Sequence, residues 1–450
     1  MSDLFASAAS WLRGNQLESE ASRAARRVLE ALDYVGAGGN PPQSASLDAE
    51  ARHRANLLEM ASRAGRIFEL SAPDARGLVC LGAEFDPTLA DPLHQGSPMI
   101  GVSGVGLTLR EAFERCVGEG TEYLSQLQTS DDEVSRSPSD KRMAVLAPQT
   151  REFVANLAAS RAAPDAELSW HPARRLTDGS EIWLPADLCL RRPPAQQDFT
   201  PPFPLSIGSA AGTSWDGAAL HGLLELIERD AVSLWWRGGR RGRAIPPEHA
   251  AYTETLLHQL RPSGSAPRRT WLLDITTDIG LPCIAALSCR PDGFGFAFGL
   301  AAKPTLVAAI RSAILELCQL ELAYAVVEAK RGERGQVGLN ARDRIHLQRA
   351  SAINANRCIL LQPIDEHARH ITIDTTSPHA TLEFIAHHLE THGIQAFCLD
   401  LTRPRFAIPV ARIIAPLLQL EPSEIITLRL AEAVAQTGGG NAYTGDTPLL

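Results

Sequence analysis

Residues 208–231 read GSAAGTSWDGAALHGLLELIERDA, and this segment decides how the rest of the chain is interpreted. Its first residues are small, and they precede a run from Trp215 to Trp236 that has the apolar periodicity of a long helix. Glu225 and Glu228 lie three residues apart, so they share one face of that helix. Leucine and isoleucine flank both carboxylates. Such carboxylates are costly to bury unless a cation or hydrogen bonds compensate them.

The same spacing of polar groups recurs on two more predicted helices, over residues 109–128 and 304–330. The pairs there are Glu119 with Glu122 and Glu316 with Gln319. One such pair is ordinary for a salt-bridged surface, but three on apolar helices favour a site where oxygen ligands meet. Magnesium is held in this way, by a few carboxylates and the phosphates of a substrate. The chain has no GxxxxGK(S/T) segment, so a P-loop is excluded as the phosphate cradle.

Bulk properties narrow the class of protein. The net charge of −9 argues against a general nucleic-acid binder, and no apolar run is long enough to predict a membrane span. The start at Met1 has no secretory signal pattern, so we expect a cytoplasmic protein. The eight cysteines form no CxxC pair, which excludes a zinc ribbon and argues against a disulfide framework.

Strands and long helices follow one another without a strict βαβα order, which predicts an α+β fold. Residues 101–106 are rich in glycine and predict a loop before the helix at 109–128. Apolar spacing predicts helices at 21–32 and 49–70. Strands are predicted at 78–82, 270–275, 283–288, 397–401 and 410–415. We expect a helical extension over residues 1–75, either a partner-binding region or a helical cap, followed by a catalytic domain over 76–450.

Four segments, in order, resemble the motifs of the YcaO family. They are residues 208–231 already quoted, 106–122 (GLTLREAFERCVGEGTE), 312–319 (SAILELCQ) and 408–416 (IPVARIIAP). The resemblance covers about residues 96–420. It implies a YcaO-like fold in which mixed sheets and long acidic helices surround a central nucleotide cavity.

Membership of that family would imply ATP and Mg2+ as cofactors, bound without a P-loop. The residues that match the family's cofactor cluster are Glu119, Glu122, Glu225, Glu228, Glu316 and Gln319, and the five glutamates among them would hold the metal. Arg229 and Arg412 would act in catalysis by neutralising phosphate charge. The alternatives are an ion pair of Arg229 with Asp230 or a nearby glutamate, and a strand-edge ion pair for Arg412. His221 is interpreted as a packed helix residue rather than a catalytic base.

This chain departs from the family pattern at several positions. Tyr123 stands where the first motif usually carries arginine, which removes one expected cation, and Ile207 stands where asparagine is frequent. The chain ends Thr447-Pro448-Leu449-Leu450, whereas azoline-forming members tend to end in a proline-rich tail.

The implied reaction is ATP-dependent activation of a peptide backbone amide, in which Cys, Ser or Thr of a ribosomal precursor peptide cyclises to an azoline. Thioamide formation, amidine formation and a non-catalytic scaffold role remain open, and a metal-dependent hydrolase is disfavoured because no histidine joins the acidic pairs. The implied partners are the precursor peptide, a leader-peptide-binding protein and a flavin dehydrogenase, within a homodimer or hetero-oligomer. No nucleic acid or membrane partner is expected.

Overall fold

The computed structural model describes residues 2–36, 48–137, 146–161, 167–262, 268–373 and 377–450. These ranges contain helices and antiparallel sheets without a regular alternation, so the predicted α+β class is confirmed. None of the helices in these ranges combines the length and the apolar character that crossing a bilayer requires.

Twelve strands of the described ranges form three separate sheets, and every pairing is antiparallel. The first sheet has the order β1 (Arg66–Leu70), β2 (Val79–Phe85), β3 (Ile100–Gly106). The second consists of β4 (Ser135–Ser137), β5 (Leu168–Arg175), β6 (Glu181–Pro185), β7 (Ser209–Ala211), β11 (Phe397–Asp400) and β12 (Val410–Ile414). Its order is β4-β5-β11-β12-β7, and β6 also pairs with β5. The third has β8 (Arg269–Asp274), β9 (Cys283–Cys289) and β10 (Ala297–Ala302), with β9 in the middle.

Thirteen helices lie in the same ranges. In chain order they are α1 (Ser2–Leu12), α2 (Ser19–Ala31), α3 (Ala49–Ser62), α4 (Leu109–Gln126), α5 (Pro148–Arg161), α6 (Ala186–Cys189), α7 (Trp215–Trp236), α8 (Ala250–Leu260), α9 (Leu306–Arg334), α10 (Ala341–Ala352), α11 (Pro378–Thr391), α12 (Leu428–Thr437) and α13 (Asn441–Thr444).

Each sheet has one edge strand that leads into a helix carrying an acidic pair. Strand β3 leads into α4, β7 into α7, and β10 into α9. The residue before each helix is Thr108, Ser214 or Thr305, and its side chain accepts a hydrogen bond from the backbone N–H three residues on. Such a cap satisfies one of the unpaired donors at a helix start, which explains why the three helices begin where they do.

Glycine lets two of these helices approach their strands closely. A Cβ on Gly104 of β3 would lie 2.2 Å from the backbone nitrogen of Cys116. On Gly299 of β10 it would lie 2.1 Å from both the Ala313 oxygen and the Leu317 nitrogen. The prediction of a loop at 101–106 is therefore wrong: the glycines there belong to a strand pressed against its helix.

The predicted helix at 49–70 is also wrong in its second half. Helix α3 ends at Ser62, and Arg66–Leu70 forms β1, which pairs with β2 from Arg66 opposite Glu84 to Leu70 opposite Cys80. The other predicted strands are present within a few residues of their predicted ends, and α7 has the predicted bounds.

The first three helices pack on the main body of the protein. Phe5 stacks on Phe113 of α4 with ring centroids 5.6 Å apart, and Trp11, Leu29 and Leu58 are buried in the same core. Through β1 and this core the chain before residue 75 makes extensive contact with the chain after it. A division into two units at that residue stays a prediction.

Candidate functional site

The acidic pairs occupy the same register on all three helices. Thr108 to Glu119, Ser214 to Glu225 and Thr305 to Glu316 are each 11 residues apart, and the second member of each pair follows three residues later. Because each cap fixes the start of its helix, the two polar side chains of each pair emerge at the same height above the preceding strand.

The first member of each pair accepts a hydrogen bond from the backbone at the preceding edge strand. These bonds run from Ser103 N to Glu119 Oε2 (3.3 Å), from Gly208 N to Glu225 Oε2 (3.0 Å) and from Leu300 N to Glu316 Oε2 (3.0 Å). An edge strand has N–H groups that no neighbouring strand pairs. Here those donors hold carboxylates in fixed positions.

The second member of each pair reaches toward the next unit, so the three units form a closed ring. Glu228 on α7 accepts from Ala302 N on β10 (3.2 Å), and Gln319 on α9 donates to Ser103 Oγ on β3 (3.0 Å). Helix α4 contacts β7, and its Glu122 lies within electrostatic reach of Glu225. The structure therefore brings together all six residues that the sequence predicted for cofactor binding.

Four of the five ring carboxylates, Glu119, Glu122, Glu228 and Glu316, have raised pKa values. Burial raises the pKa of Glu119 to about 7, and burial together with the charge of Glu228 raises that of Glu316 to about 8. The pKa values of Glu122 and Glu228 are also raised, first by burial and then, among other effects, by the charge of Glu225. Glu119 is accessible to solvent and the other ring carboxylates are half-buried. A divalent cation that enters the site would favour their ionised forms.

Arg229 lies inside the ring. Its guanidinium is 3.2 Å from Glu225 Oε1 and 3.7 Å from Glu228 Oε1, and its buried Nε has no hydrogen-bond partner among the described residues. Burial opposes its charge, but the surrounding carboxylates outweigh burial and hold its pKa above the ordinary value. Of the two ion-pair alternatives, the glutamates are the partners: Asp230 instead points away and pairs with Arg429 at 2.7 Å.

Arg412 lies near the ring on β12, which pairs with β11 on one side and with β7 on the other, so it is not at a strand edge. It is 1% exposed, and it donates to the backbone oxygens of Leu188 (3.0 Å) and Leu205 and to Ser209 Oγ (3.1 Å). Burial lowers its pKa to about 10, while Glu225 and Glu122 lie within electrostatic reach. These contacts favour a structural brace. A role of Arg412 toward phosphate stays a prediction.

Lys303 is a site residue that the sequence did not reveal. It precedes the cap Thr305 by two residues, where the other two units have Gly106 and Gly212. Burial lowers its pKa, whereas Glu228 and Glu316 attract its charge. No local motif marks this lysine. Alignment of the three units on their caps would have found it.

His221 projects from α7 one turn before Glu225. Burial and then the charge of Lys303 lower its pKa to about 4, so the imidazole is neutral at physiological pH. A neutral imidazole could accept a proton, but its low basicity makes it a poor general base. The sequence interpretation of a packed helix residue is half right: His221 lies on α7, but its side chain is accessible to solvent. That His221 is not a catalytic base stays a prediction.

No three His, Cys, Asp or Glu side chains in the described ranges converge closely enough to hold a metal ion by themselves. Mg2+ in nucleotide sites is commonly held by one or two carboxylates, with phosphate oxygens and water completing the coordination. The donor set fits that mode: carboxylate oxygens fixed by backbone N–H groups, with an unpaired Arg229 Nε and Lys303 beside them.

Comparison with known proteins gives the following similarities. A family model described as YcaO cyclodehydratase, ATP- and Mg2+-binding, matches residues 103–419. An uncharacterised protein of Methanothermobacter thermautotrophicus is 24% identical over 373 residues, which are 79% of this chain and 89% of that protein.

Two solved structures share the fold. A heterocyclase in complex with substrate and cofactor matches with a TM-score of 0.69 and 19% identity, over 89% of this chain and 56% of its own. YcaO from Methanopyrus kandleri, bound with AMPPCP and Mg2+, matches with a TM-score of 0.54 and 18% identity, over 81% of this chain and 89% of its own. The chain thus spans little more than half the length of the heterocyclase, and most of the length of the Methanopyrus protein.

Proposed function

This chain belongs to the YcaO family, whose members bind ATP and Mg2+, and from that premise we propose that it activates a backbone amide of a ribosomally made peptide. The first candidate product is an azoline, formed when Cys, Ser or Thr of the precursor attacks the preceding carbonyl carbon and water is lost. The observation that carries this proposal is the closed ring of five carboxylates and one amide, which lie on the three helices that follow the edge strands β3, β7 and β10.

In the proposed site each group of the chain has a separate task. The ring carboxylates, Glu119, Glu122, Glu225, Glu228 and Glu316, hold Mg2+, and Gln319 keeps α9 in register with β3 through Ser103. Arg229, with Lys303 beside it, binds phosphate oxygens, and Arg412 braces the backbone near the ring. When bound, ATP supplies the phosphoryl group that turns the amide oxygen into a leaving group, and Mg2+ neutralises charge. The chain's contribution is positioning and fixed charge.

The substrate and partners are part of the same proposal. We propose that a leader-peptide-binding protein and a flavin dehydrogenase act together with this chain, in line with the microcin synthetase complexes in which a subunit shares its fold. The assembly would be a homodimer or a hetero-oligomer.

The position of the C-terminal tail favours a second candidate product, a thioamide or an amidine. Trp236 Nε1 donates to the Thr447 oxygen (2.8 Å), Arg349 binds the Leu449 oxygen, and the Leu449 side chain is fully buried. The tail is therefore packed at the far end of α7 from the carboxylate ring. Exchange of amide oxygen for sulfur or nitrogen would use the same activated amide.

Calorimetric titration of the full chain with AMPPCP and MgCl2 tests the nucleotide site. We expect binding that needs Mg2+, and we expect Glu228→Gln and Glu316→Gln to weaken it roughly 10- to 100-fold, the range for losing a polar partner of a metal. Glu328→Gln is the matched control, because Glu328 lies on α9 with Glu316 but is exposed and paired with Arg331. Absence of nucleotide binding by the unaltered chain would refute the proposal and favour the scaffold alternative.

Intact mass of a precursor peptide after incubation with ATP separates the products. Loss of one water per modified residue identifies an azoline or an internal amidine, and fragmentation of the peptide separates the two by placing the new ring at Cys, Ser or Thr or at an amine. A gain equal to the difference between sulfur and oxygen identifies a thioamide. An unchanged mass with consumption of ATP would contradict amide modification of that peptide.

A further inference from the structure

We propose that Arg191 binds the terminal phosphate of the nucleotide next to Glu122. Arg191 would supply the positive charge that helix α4 lacks because position 123 is tyrosine and not arginine. The inference rests on the proposed nucleotide site and adds to it a residue from outside the three strand–helix units. It concerns the corner of the ring where α4 ends.

The three helices differ at the position that directly follows the second polar residue. Helix α7 has Arg229 there, which pairs with its own glutamates, whereas α4 has the uncharged Tyr123. Glu122 makes no ion pair within the described part of the chain, and its only hydrogen bond there comes from Gln126 (3.2 Å). This corner therefore needs a cation from elsewhere.

Arg191 is fixed at this corner by three kinds of contact. Its guanidinium carbon lies 4.4 Å from the centroid of the Tyr123 ring, and its Nε donates to Gln126 Oε1 (2.7 Å). Backbone hydrogen bonds hold Arg191 to the end of α4 as well: Arg191 N donates to the Gln126 oxygen (2.7 Å), and Gln128 N donates to the Arg191 oxygen (3.0 Å). Arg191 thus supplies the positive charge that is missing at position 123, and its guanidinium packs on the face of the Tyr123 ring.

The charge of Arg191 is available to a ligand. In the described ranges the two terminal nitrogens of Arg191 make no hydrogen bond. The neighbouring Arg192, in contrast, forms ion pairs through its terminal nitrogen with the carboxylates of Asp187 (3.2 Å) and Asp198 (3.1 Å). Arg191 and Tyr123 both line an open cleft of about 600 Å³ whose other lining residues lie outside the ring, so a ligand can approach Arg191 from the cleft side. Glu122 is within electrostatic reach but forms no direct ion pair, which leaves room for an oxygen between them.

The chemistry of the free groups favours phosphate. Two terminal nitrogens of a guanidinium can hold two oxygens of one phosphate, and charge-assisted bonds of this kind are the strongest hydrogen bonds in proteins. A terminal phosphate carries more negative charge and more free oxygens than a bridging one. Arg191 would therefore distinguish a triphosphate from a diphosphate.

The test compares the full chain with Arg191→Met, Tyr123→Arg and the double variant, using AMPPCP and ADP with MgCl2 in calorimetry. We expect Arg191→Met to weaken AMPPCP binding roughly 10- to 100-fold and ADP binding far less, in line with loss of hydrogen bonds to a charged group. The double variant regains much of the preference for AMPPCP, because arginine returns to position 123. Arg290→Met is the matched control: Arg290 is exposed, and within the described residues its ion pair is with Asp292.

The outcomes separate this inference from the proposed function. If the unaltered chain binds neither nucleotide, both fail. If it binds AMPPCP more tightly than ADP and Arg191→Met keeps that preference, only the role of Arg191 fails; it also fails if the unaltered chain shows no preference. If Arg191→Met is too unstable for titration, Arg191→Gln, which is neutral but polar, replaces it, and its preference for AMPPCP over ADP is judged in the same way.

Discussion

A carboxylate of the ring holds its proton to higher pH than an exposed glutamate, and this links folding to pH. The ordinary pKa is 4.5, and the folded values of Glu119 and Glu316 are about 7 and about 8. Between these limits the folded chain binds more protons than the unfolded chain, so the free energy of unfolding falls as pH rises. The stabilisation is complete below pH 4.5 and is lost through pH 7 and 8.

The prediction is that, without nucleotide and with a chelator present, the melting temperature declines between about pH 5 and about pH 8. Mg2+ with AMPPCP should reduce the decline, because a cation favours the ionised carboxylates. The double variant Glu119→Gln, Glu316→Gln should show a flatter profile. A melting temperature that falls equally in this variant would disprove the assignment to these two groups.

Arg412 gives a second prediction at the scale of one residue. Replacement by Met leaves the oxygens of Leu188 and Leu205 and the Ser209 hydroxyl without their donor in the interior. We expect the free energy of unfolding to fall by about 2–4 kcal/mol in urea titrations, since each buried polar group left unpaired costs about 1–3 kcal/mol. Arg290→Met, which changes an exposed ion pair, should alter it by less than about 0.5 kcal/mol. An unchanged stability of Arg412→Met would favour a role toward ligand alone.

Strand–helix spacing is the feature of the elements on which the ring depends. Gly299→Ala places a methyl group against the backbone of α9, and overpacking of this kind costs about 1–3 kcal/mol or more. We expect a lower melting temperature together with weaker AMPPCP binding, because Glu316 shifts with its helix. Gly101→Ala on β3 is the control, since nothing lies within 4 Å of the added carbon. Equal effects of the two substitutions would contradict the role given to the close contact.

At the scale of elements, the sequence predicted the acidic helices well and the strands before them poorly. The helices are marked by caps and by apolar periodicity, both of which are local signals. Residues 101–106 were interpreted as a loop because glycine weakens strands in general, yet Gly104 is there to admit Cys116 of the packed helix. Likewise the apolar residues at positions 67, 68 and 70 continue the helical pattern of the preceding segment, whereas in the structure residues 66–70 pair with β2 as a strand.

The whole molecule melts as one unit if the N-terminal helices belong to its core. Trp11 of α1 is 3% exposed within the core that contains Phe113 of α4. We expect Trp11→Ala to lower the free energy of unfolding by about 3–5 kcal/mol and to shift a single calorimetric transition. Arg23→Ala, on the exposed face of α2, should leave that transition in place. A separate transition that moves alone would show that residues 1–75 form an independent unit.

For the molecule as a whole, the sequence predicted which residues meet but not what surrounds them. The six polar groups could be found because each pair has an i, i+3 spacing. Lys303 and Arg191 have no periodic signal, because one lies in a strand-to-helix turn and the other follows the short helix α6. Lys303 could be found only by aligning the three units on their caps, and no sequence pattern marks Arg191. Both enter the site only through contacts between residues far apart in the chain.

The equal spacing of the three strand–helix units has a consequence for how a ligand is oriented. A ring of three identical corners would accept a linear, asymmetric anion in three equivalent poses, and only one of them could present its reactive end to a peptide. The three corners of this ring carry different residues at equivalent positions. The differences are Gln319 against two glutamates, Lys303 against two glycines, and Arg229 against Tyr123 and Leu320. These departures from symmetry remove the degeneracy and select a single pose.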